Sequence, residues 1–133
     1  MTPFGQKIRD MRSANNVTLS FMANEIGVSA AYLSALERGR KGRPSWYLIQ
    51  RIIAFFNIIW DDAEELIQLA NLSHPRVSID TSRSSASATF LANELASEIM
   101  NLRQDEITEI QKIIEQAKIR KKRNLIKFKD RKK

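Results

Sequence analysis

Four cationic side chains fall within six consecutive positions of the sequence. They are Arg38, Arg40, Lys41 and Arg43. Two glycines interrupt the run and Pro44 follows it, which predicts an irregular loop. Guanidinium and ammonium groups bind phosphate oxygens through charge-assisted hydrogen bonds. The chemistry available to this stretch is therefore phosphate binding, and the alternative is a solvated loop without a ligand.

Residues that could catalyse a reaction or hold a metal ion are scarce. The chain has no cysteine and one histidine, His74, which stands beside Pro75 in a loop-like stretch. This excludes a thiolate metal site and a thiol nucleophile, and there is no Gly-rich phosphate loop. The acidic cluster in residues 61–65 is explained by the dipole of a helix that begins there. We expect no enzyme, no catalytic residue, no metal and no cofactor.

The positive charge of the chain is concentrated at its two ends. Residues 1–56 carry eight basic and three acidic side chains, and residues 57–117 carry four basic and eleven acidic ones. Residues 118–133 carry ten basic side chains and one acidic. Basic charge clustered in this way favours a polyanionic partner, with an attraction that weakens as salt rises.

The elements that must position the basic loop are predicted between Val17 and Gly39, as a helix, a tight turn and a second helix. Apolar residues recur at helical spacing in both halves. Thr18 is predicted to cap the first helix, and Ser29 is a good N-cap for the second. Gly27 can adopt the left-handed conformation that ends the first helix. Ala23 is small where the helices must cross closely. This order is typical of a helix-turn-helix, whose second helix lies in the DNA major groove. The alternative is a corner between two helices with no nucleic-acid role.

The segment MANEIGVSAAYLSALERG resembles the core of the lambda-repressor-like, or xenobiotic-response-element (XRE), family of bacterial regulators. The resemblance covers residues 4–72, and the basic loop is similar to that of shorter phage repressors. It implies an all-α bundle of about five helices that binds operator DNA as a dimer. A looser resemblance, carried by HPRVSIDTS and FLANELASEI, is to XRE-type regulators of alphaproteobacteria.

The family pattern implies that the second helix, from about Ala30 to Glu37, faces the base edges. Its alanines offer apolar contact with thymine methyl groups, and Tyr32 and Ser34 supply polar groups. No bidentate Arg or Gln is present, so we expect DNA shape to contribute to sequence reading. Leu19 stands where the family usually has Gln, which puts one phosphate contact in doubt, although backbone N–H groups remain at that helix start. The expected DNA-binding residues are Thr18, Ser29, Ala30, Ala31, Tyr32, Ser34, Ala35, Arg38, Arg40, Lys41, Arg43 and Ser45.

The first helix begins near Pro3 and carries an apolar stripe on one face. Its cations, Lys7, Arg9 and Arg12, are either phosphate contacts or part of a solvated face. In the second helix of the motif, Glu37 is expected by family resemblance to brace the neighbouring backbone.

Two further helices complete the expected bundle. Ser45 is predicted to cap a fourth helix over residues 46–56, which is so apolar that its Trp and Phe side chains are expected in a core covered on more than one side. Asp61 with Glu64 fits a capping box for a fifth helix over residues 62–71.

Residues 73–89 are rich in serine and predict a linker, in which Val77 and Ile79 are compatible with a short strand or extended arm. Residues 90–117 show two helical patterns, the second capped by Asp105, and predict a helical hairpin that buries little by itself. It packs either on the bundle or, as we favour, on a second subunit of a symmetric dimer. The expected dimerisation residues are Leu91, Leu95, Ile99, Leu102, Ile107, Ile110 and Ile114.

The basic tail, residues 118–133, allows three interpretations. We favour a disordered arm that adds nonspecific affinity for DNA. The others are a solubilising tail and a basic amphipathic helix for a membrane surface or an acidic partner.

The sequence thus predicts an all-α protein: a five-helix lambda-repressor-like DNA-binding bundle (residues 1–72), a linker (73–89), a helical hairpin (90–117) and a basic tail (118–133). The predicted function is a dimeric, sequence-specific transcriptional repressor that binds double-stranded DNA, without a membrane partner and located in the cytoplasm on the nucleoid. The alternatives are an antitoxin that also regulates its own transcription, and a nonspecific DNA-binding or scaffold protein. A small-molecule effector is not indicated.

Overall fold

The structure, a computed structural model, describes residues 1–132, and all regular elements in that part of the chain are helical. The chain divides into two compact units, Met1–Ser78 and the part from Ile79 onward. The expected all-α fold is confirmed. The helices are α1 (Pro3–Ala14), α2 (Leu19–Ile26), α3 (Ala30–Glu37), α4 (Trp46–Phe55), α5 (Trp60–Asn71), α6 (Ala86–Glu98) and α7 (Gln104–Arg131), with a 3₁₀ turn (Ile99–Asn101) before α7.

The first unit is a five-helix bundle around one apolar core. Helix α1 packs against α3 and α5, and α2 packs against α3 and α4. The core is built from the apolar stripes that the helical periodicity predicts, because one face of each helix is removed from water. Its members are Phe4, Ile8, Met22, Ala23, Ile26, Leu33, Leu36, Leu48, Ile49, Ile52, Leu66 and Ala70.

Four helices of the bundle begin at a hydroxyl residue that caps them. A helix start leaves backbone N–H groups without partners, and a Ser or Thr side chain accepts a hydrogen bond from one of them. Thr2 caps α1 in this way. The three predicted caps are confirmed, since Thr18 accepts from the Phe21 N–H, Ser29 from the Tyr32 N–H and Ser45 from the Leu48 N–H.

Ser73 closes the bundle, although the sequence pattern placed it in the linker. Its side-chain oxygen accepts a hydrogen bond of 2.9 Å from the Phe4 N–H and donates to the Leu69 carbonyl. The residue is buried. The hydroxyl therefore joins the end of α5 to the first turn of α1.

The predicted start of the fifth helix is wrong. Helix α5 begins at Trp60, and its N-cap, Ile59, makes no side-chain capping hydrogen bond. Asp61 and Asp62 lie inside the first turn, where carboxylates interact with the helix dipole instead of capping the helix. Trp60 has a φ of +54° and is 85% exposed.

The predicted burial of the aromatic residues of α4 is only partly confirmed. Trp46 is 57% exposed and meets Tyr47 edge-on, whereas Phe55 and Phe56 are half-buried against the core. Helix α4 buries a single face, through Leu48, Ile49 and Ile52. Trp46 lies in the first turn and off that face, so the helix is covered on one side and not on several.

In the second unit, α6 begins at Ala86 with Ser85 as its cap, so the segment without regular structure ends earlier than the predicted linker. Val77 and Ile79 form no strand. Asp105 does not cap α7. The N-cap is Arg103, whose N–H donates a hydrogen bond of 2.9 Å to Glu106. The Arg103 guanidinium donates to the Asp105 carboxylate, and this hydrogen bond lowers the pKa of Asp105.

The segment predicted as a disordered arm is helical over residues 118–131, where it continues α7. Lys, Arg and Leu favour helix, and no Gly or Pro interrupts this segment. Neither α6 nor α7 contains a buried residue. Among the described residues, no helix combines the length and apolarity needed to cross a membrane.

Candidate nucleic-acid interface

Helices α2 and α3 pack against each other across a tight turn. Gly27 ends α2 with a φ of +75°. This backbone conformation is unfavourable in free energy for residues with a Cβ, whereas glycine adopts it readily. The Val28 N–H donates to the Ala23 carbonyl at 3.0 Å and satisfies the last turn of α2. Ala23 is 2% exposed, so the small side chain lies where the helices meet. The helix-turn-helix geometry predicted from the sequence is present.

Helix α3 has one face in the core and one face toward solvent. Leu33 and Leu36 are buried, whereas Ala30 and Ala31 at the start of the helix are exposed. Three other members of the expected base-reading set are half-buried: Tyr32, Ser34 and Ala35. The face that family resemblance assigns to base edges is thus accessible at its N-terminal end.

The basic loop that follows α3 is held in position at both ends by contacts with the bundle. Gly39 has a φ of +74°, and a Cβ there would lie 2.9 Å from the backbone of Met1, so this position requires glycine. The Arg40 N–H donates to the Ala35 carbonyl at 2.9 Å. At the other end Pro44 is buried and precedes Ser45, the cap of α4. The loop is therefore held in place next to α3.

The four cations of this loop divide into two kinds. Arg38 donates to the Ser34 carbonyl at 3.3 Å, and Arg43 donates to the Asn71 side-chain oxygen at 2.7 Å. Arg40 and Lys41 are exposed, and among the described residues neither makes an ion pair or a side-chain hydrogen bond. Two charges are thus available to an anion, and two are oriented by the protein.

Glu37 contacts a side chain that the sequence did not suggest. Arg12 of α1 donates from Nε to Oε1 of Glu37 at 2.8 Å and from Nη2 to Oε2 at 3.2 Å. The Nη1 group of Arg12 donates to the Val17 carbonyl at 3.1 Å. Glu37 therefore braces backbone only indirectly, through Arg12. The hydrogen bond from Arg12 to Glu37 raises the pKa of Arg12. The guanidinium of Arg12 is thus engaged in intramolecular hydrogen bonds, which argues against a phosphate contact by this residue.

A glycine of α1 sets how closely the first helix approaches the end of α3. A Cβ on Gly5 would lie 2.7 Å from the carbonyl oxygen of Leu36, which is backbone and cannot move aside cheaply. Sequence reasoning missed both Gly5 and the Arg12–Glu37 pair. The available signal was an acidic residue, Glu37, directly after buried Leu36, which calls for a cationic partner.

The expected dimerisation residues lie in the second unit, and none of them is buried there. Leu91 is 64% exposed, Ile99 49% and Ile114 51%, and the other four are half-buried: Leu95, Leu102, Ile107 and Ile110. Within the described part of the chain, no cluster of three or more His, Asp and Glu side chains is suited to a metal ion.

A family model and a relative agree with the helix-turn-helix assignment. Residues 3–66 match a family model described as "Helix-turn-helix domain". The chain is 32% identical over 62 residues to the "Uncharacterized HTH-type transcriptional regulator RghRB" of Bacillus subtilis (strain 168), a match that covers 47% of this chain and 45% of that protein. Of the solved structures, one titled "SINR PROTEIN/SINI PROTEIN COMPLEX" overlays with a TM-score of 0.43 and 20% identity, over 86% of this chain and 97% of that chain.

The matched region contains α1 to α4 and most of α5, and therefore the whole candidate interface. The matched family is described as a helix-turn-helix domain and the relative as an HTH-type transcriptional regulator, which is a non-enzymatic class. The chain spans about half the length of that relative, 45% of it. The family match ends before the linker and the second unit, so the resemblance to alphaproteobacterial regulators stays a prediction.

Proposed function

We propose that this chain is a DNA-binding transcriptional regulator of the XRE type and that α3 enters the major groove. The observation that carries the proposal is the arrangement of α3. Its N-terminal end is exposed, and its C-terminal end leads into a loop that is held at both ends and has two available cations, Arg40 and Lys41. A rigid helix can read base edges while nearby cations fix its position on the phosphate backbone.

The proposed contacts divide between affinity and sequence reading. Arg40 and Lys41 neutralise phosphates and contribute to the affinity for any DNA. Tyr32 and Ser34 contribute polar groups toward base edges, and the exposed alanines of α3 contact thymine methyl groups. The ring of Tyr32 also packs against the bundle core, which orients the side chain before DNA arrives. Few polar groups reach the bases, so we expect DNA shape to contribute to specificity.

Helix starts supply a second kind of phosphate contact. The cap residues Thr18, Ser29 and Ser45 are exposed, and each occupies one backbone N–H of its helix. The remaining N–H groups of a first turn form a partial positive charge that favours a phosphate. This contact does not require the glutamine that the family usually carries at position 19.

We further propose that the protein acts as a homodimer, binds a palindromic operator in a promoter and excludes polymerase. Two-fold symmetry doubles the DNA contacts and matches two half-sites one helical turn apart. The exposed apolar residues of the second unit supply a surface for the second subunit. Such a regulator acts in the cytoplasm, on the nucleoid, and needs no cofactor.

The test is binding of the full chain to the DNA upstream of its own gene and to a scrambled DNA of equal length, at two salt concentrations. The same titration is made with a chain that ends at Ala117. We expect a preference of roughly a thousandfold for the upstream DNA with the full chain, and a smaller preference that persists without the basic segment. Equal binding to both DNAs that disappears with the basic segment would show that α3 is a scaffold.

A second candidate function is an antitoxin that regulates its own transcription. The exposed apolar side chains of α6 and α7 favour it, because a toxin can cover such a surface as well as a second subunit can. Co-expression with the product of the adjacent gene distinguishes the two functions. An antitoxin restores growth, and its complex with that product withstands purification.

A third candidate, nonspecific binding, rests on the alanines of α3, which offer no bidentate hydrogen bonds to bases. The ratio of specific to nonspecific affinity in the same titration decides it. A ratio near one would indicate a general DNA-binding or scaffold protein.

A further inference from the structure

Helix α7 carries one apolar stripe along almost its whole length, including the part that lies in the basic segment. At about 100° per residue, positions spaced alternately by three and four residues share a face. The stripe comprises Ile107, Ile110, Ile114, Ala117, Leu125 and Phe128, and it is interrupted on the same face by Lys121. Three of its members are well exposed, with Ile114 at 51%, Leu125 at 48% and Phe128 at 57%. From the first to the last of these residues the stripe is about 32 Å long.

The two halves of α7 carry opposite charge. Residues 104–117 have four acidic side chains and one basic one, whereas residues 118–131 have eight basic side chains and one acidic one. Among the described residues of the second half, only Lys118 makes an ion pair, with Glu115 at 3.8 Å. The basic half is therefore a helix of mutually repelling cations, with like charges four residues apart at Arg123 and Lys127, and such pairs destabilise an isolated helix.

We infer that α7 pairs with α7 of a second copy of this chain in antiparallel orientation. In this arrangement the acidic half of each helix lies against the basic half of the other, and the two apolar stripes cover each other. A parallel pair would set both basic halves side by side, which costs free energy through like-charge repulsion. This inference rests on the proposed function only in that it names the dimer partner and its orientation.

The stripe defines the register of the pair. Four of its six residues are symmetric about the bond between Ala117 and Lys118, and we place a two-fold axis there. Ile107 then opposes Phe128 of the second copy, and Ile110 opposes Leu125 of the second copy. Each contact occurs twice, as the symmetry of an isologous interface requires.

Two features flank this register. Lys121 stands opposite Ile114 of the second copy, where its aliphatic stem covers apolar surface and its ammonium reaches the edge of the interface. At the ends of the pair, Glu106 lies opposite Lys129 of the second copy. Opposed carboxylates and ammonium groups offset the repulsion within the basic half.

The helix dipole alone does not account for this distribution of charge. Dipole effects are confined to the first and last turns of a helix, whereas the cations of α7 extend over fourteen residues, from 118 to 131. DNA as the occupant would leave the acidic half and the apolar stripe uncovered. A second copy is the partner that matches the acidic half, the basic half and the stripe together.

Disulfide cross-linking determines the relative orientation of the two α7 helices directly, because the chain contains no native cysteine and only the introduced ones can react. Full-length Ile107→Cys and Phe128→Cys proteins are mixed without DNA and oxidised, and each is also oxidised alone. Antiparallel pairing predicts a disulfide-linked dimer in the mixture and little in either protein alone. Linked dimers of each protein alone would show parallel pairing and overturn the inference, and so would the absence of any linked dimer.

Point variants test the stripe independently of chemical trapping. Leu125→Asp places a charge inside the pair and should raise the dimer dissociation constant about tenfold or more in analytical ultracentrifugation. Ile126→Asp is the matched control, since Ile126 is 60% exposed and lies on the opposite side of the helix. Charge reversal at Glu106 and Glu109 to Lys should weaken the dimer, and additional reversal at Lys127 and Lys129 to Glu should restore it. Equal effects of Leu125→Asp and Ile126→Asp would overturn the inference.

These experiments distinguish a failure of the proposed helix pairing from a failure of the proposed function. Binding of upstream DNA by the Leu125→Asp protein tests α3, while its oligomeric state tests α7. A monomeric wild-type chain that still prefers its upstream DNA would overturn the pairing and leave the proposed function standing. A cross-linked antiparallel dimer without any preference for that DNA would do the reverse.

Discussion

Arg12 and Glu37 form a two-pronged ion pair that fastens α1 to the last turn of α3, with Nε–Oε1 at 2.8 Å and Nη2–Oε2 at 3.2 Å. The side chain of Glu37 is 6% exposed and that of Arg12 is 18% exposed. Arg12 also holds the carbonyl of Val17, just before α2. One guanidinium therefore ties together α1, the last turn of α3 and the segment just before α2.

Replacing Arg12 by Met should destabilise the bundle by about 3 kcal/mol, because the substitution leaves a buried carboxylate without its partner. The midpoint and slope of urea unfolding measure the change. Arg9→Met is the control on the same helix, where the side chain is exposed and the expected change is within about 0.5 kcal/mol. Equal midpoints for the two variants would contradict a structural role of the pair.

The destabilisation by Arg12→Met should be constant between about pH 7 and about pH 10. The pKa of Arg12 is raised in the folded state by its hydrogen bond to Glu37. A raised pKa contributes stability that is present below the unfolded value and lost only as the pH rises through the folded value. The pH range over which this stability is lost lies well above pH 10. Urea unfolding of both proteins at several pH values checks this, and a difference that shrinks across that range would count against it.

Replacing Gly5 by Ala should destabilise the bundle by about 1–3 kcal/mol, because the new methyl group meets the backbone carbonyl of Leu36 at 2.7 Å. Gly42 provides the matched control, since a Cβ there meets nothing within 4 Å. Gly42→Ala should be neutral or slightly stabilising. The midpoints of thermal unfolding of the two variants measure these changes in stability. Equal shifts in the two midpoints would mean that α1 can move away from α3.

Replacing Arg40 and Lys41 by Ala should weaken binding to specific and scrambled DNA by similar factors. It should also make the slope of log affinity against log salt shallower by about 2, or roughly one for each phosphate that the protein no longer neutralises. Arg76→Ala with Arg83→Ala removes the same charge outside the loop and should change the slope less. An unchanged slope in the Arg40 and Lys41 variant would remove the loop from the proposed interface.

A chain that ends at Ser78 should fold and be monomeric. The first unit contains all twelve buried apolar residues of the core and Ser73, which joins α5 to α1. The apolar side chains proposed to bind a second copy lie beyond Ser78. Circular dichroism and light scattering measure folding and mass. A dimer in the shortened chain would place the subunit interface in the bundle.

Local chemistry explains the predictions that held. The caps at Thr18, Ser29 and Ser45 and the left-handed Gly27 depend on one residue and its immediate neighbours, so they follow from residue type and spacing. The start of α5 was wrong because a carboxylate such as Asp61 suits a cap and a first turn equally well. Trp46 was placed in the core because apolarity alone does not say which face of α4 is covered.

The sequence by itself determined the helix-turn-helix, the core stripes of the bundle and the separation of charge along the chain, because each depends on side chains close together in the sequence. Only the tertiary structure decided that Arg12 pairs with Glu37 across 25 positions and that Gly5 lies against the Leu36 carbonyl. It also decided which loop cations remain available. These features depend on distances between helices, which packing sets and no local pattern contains.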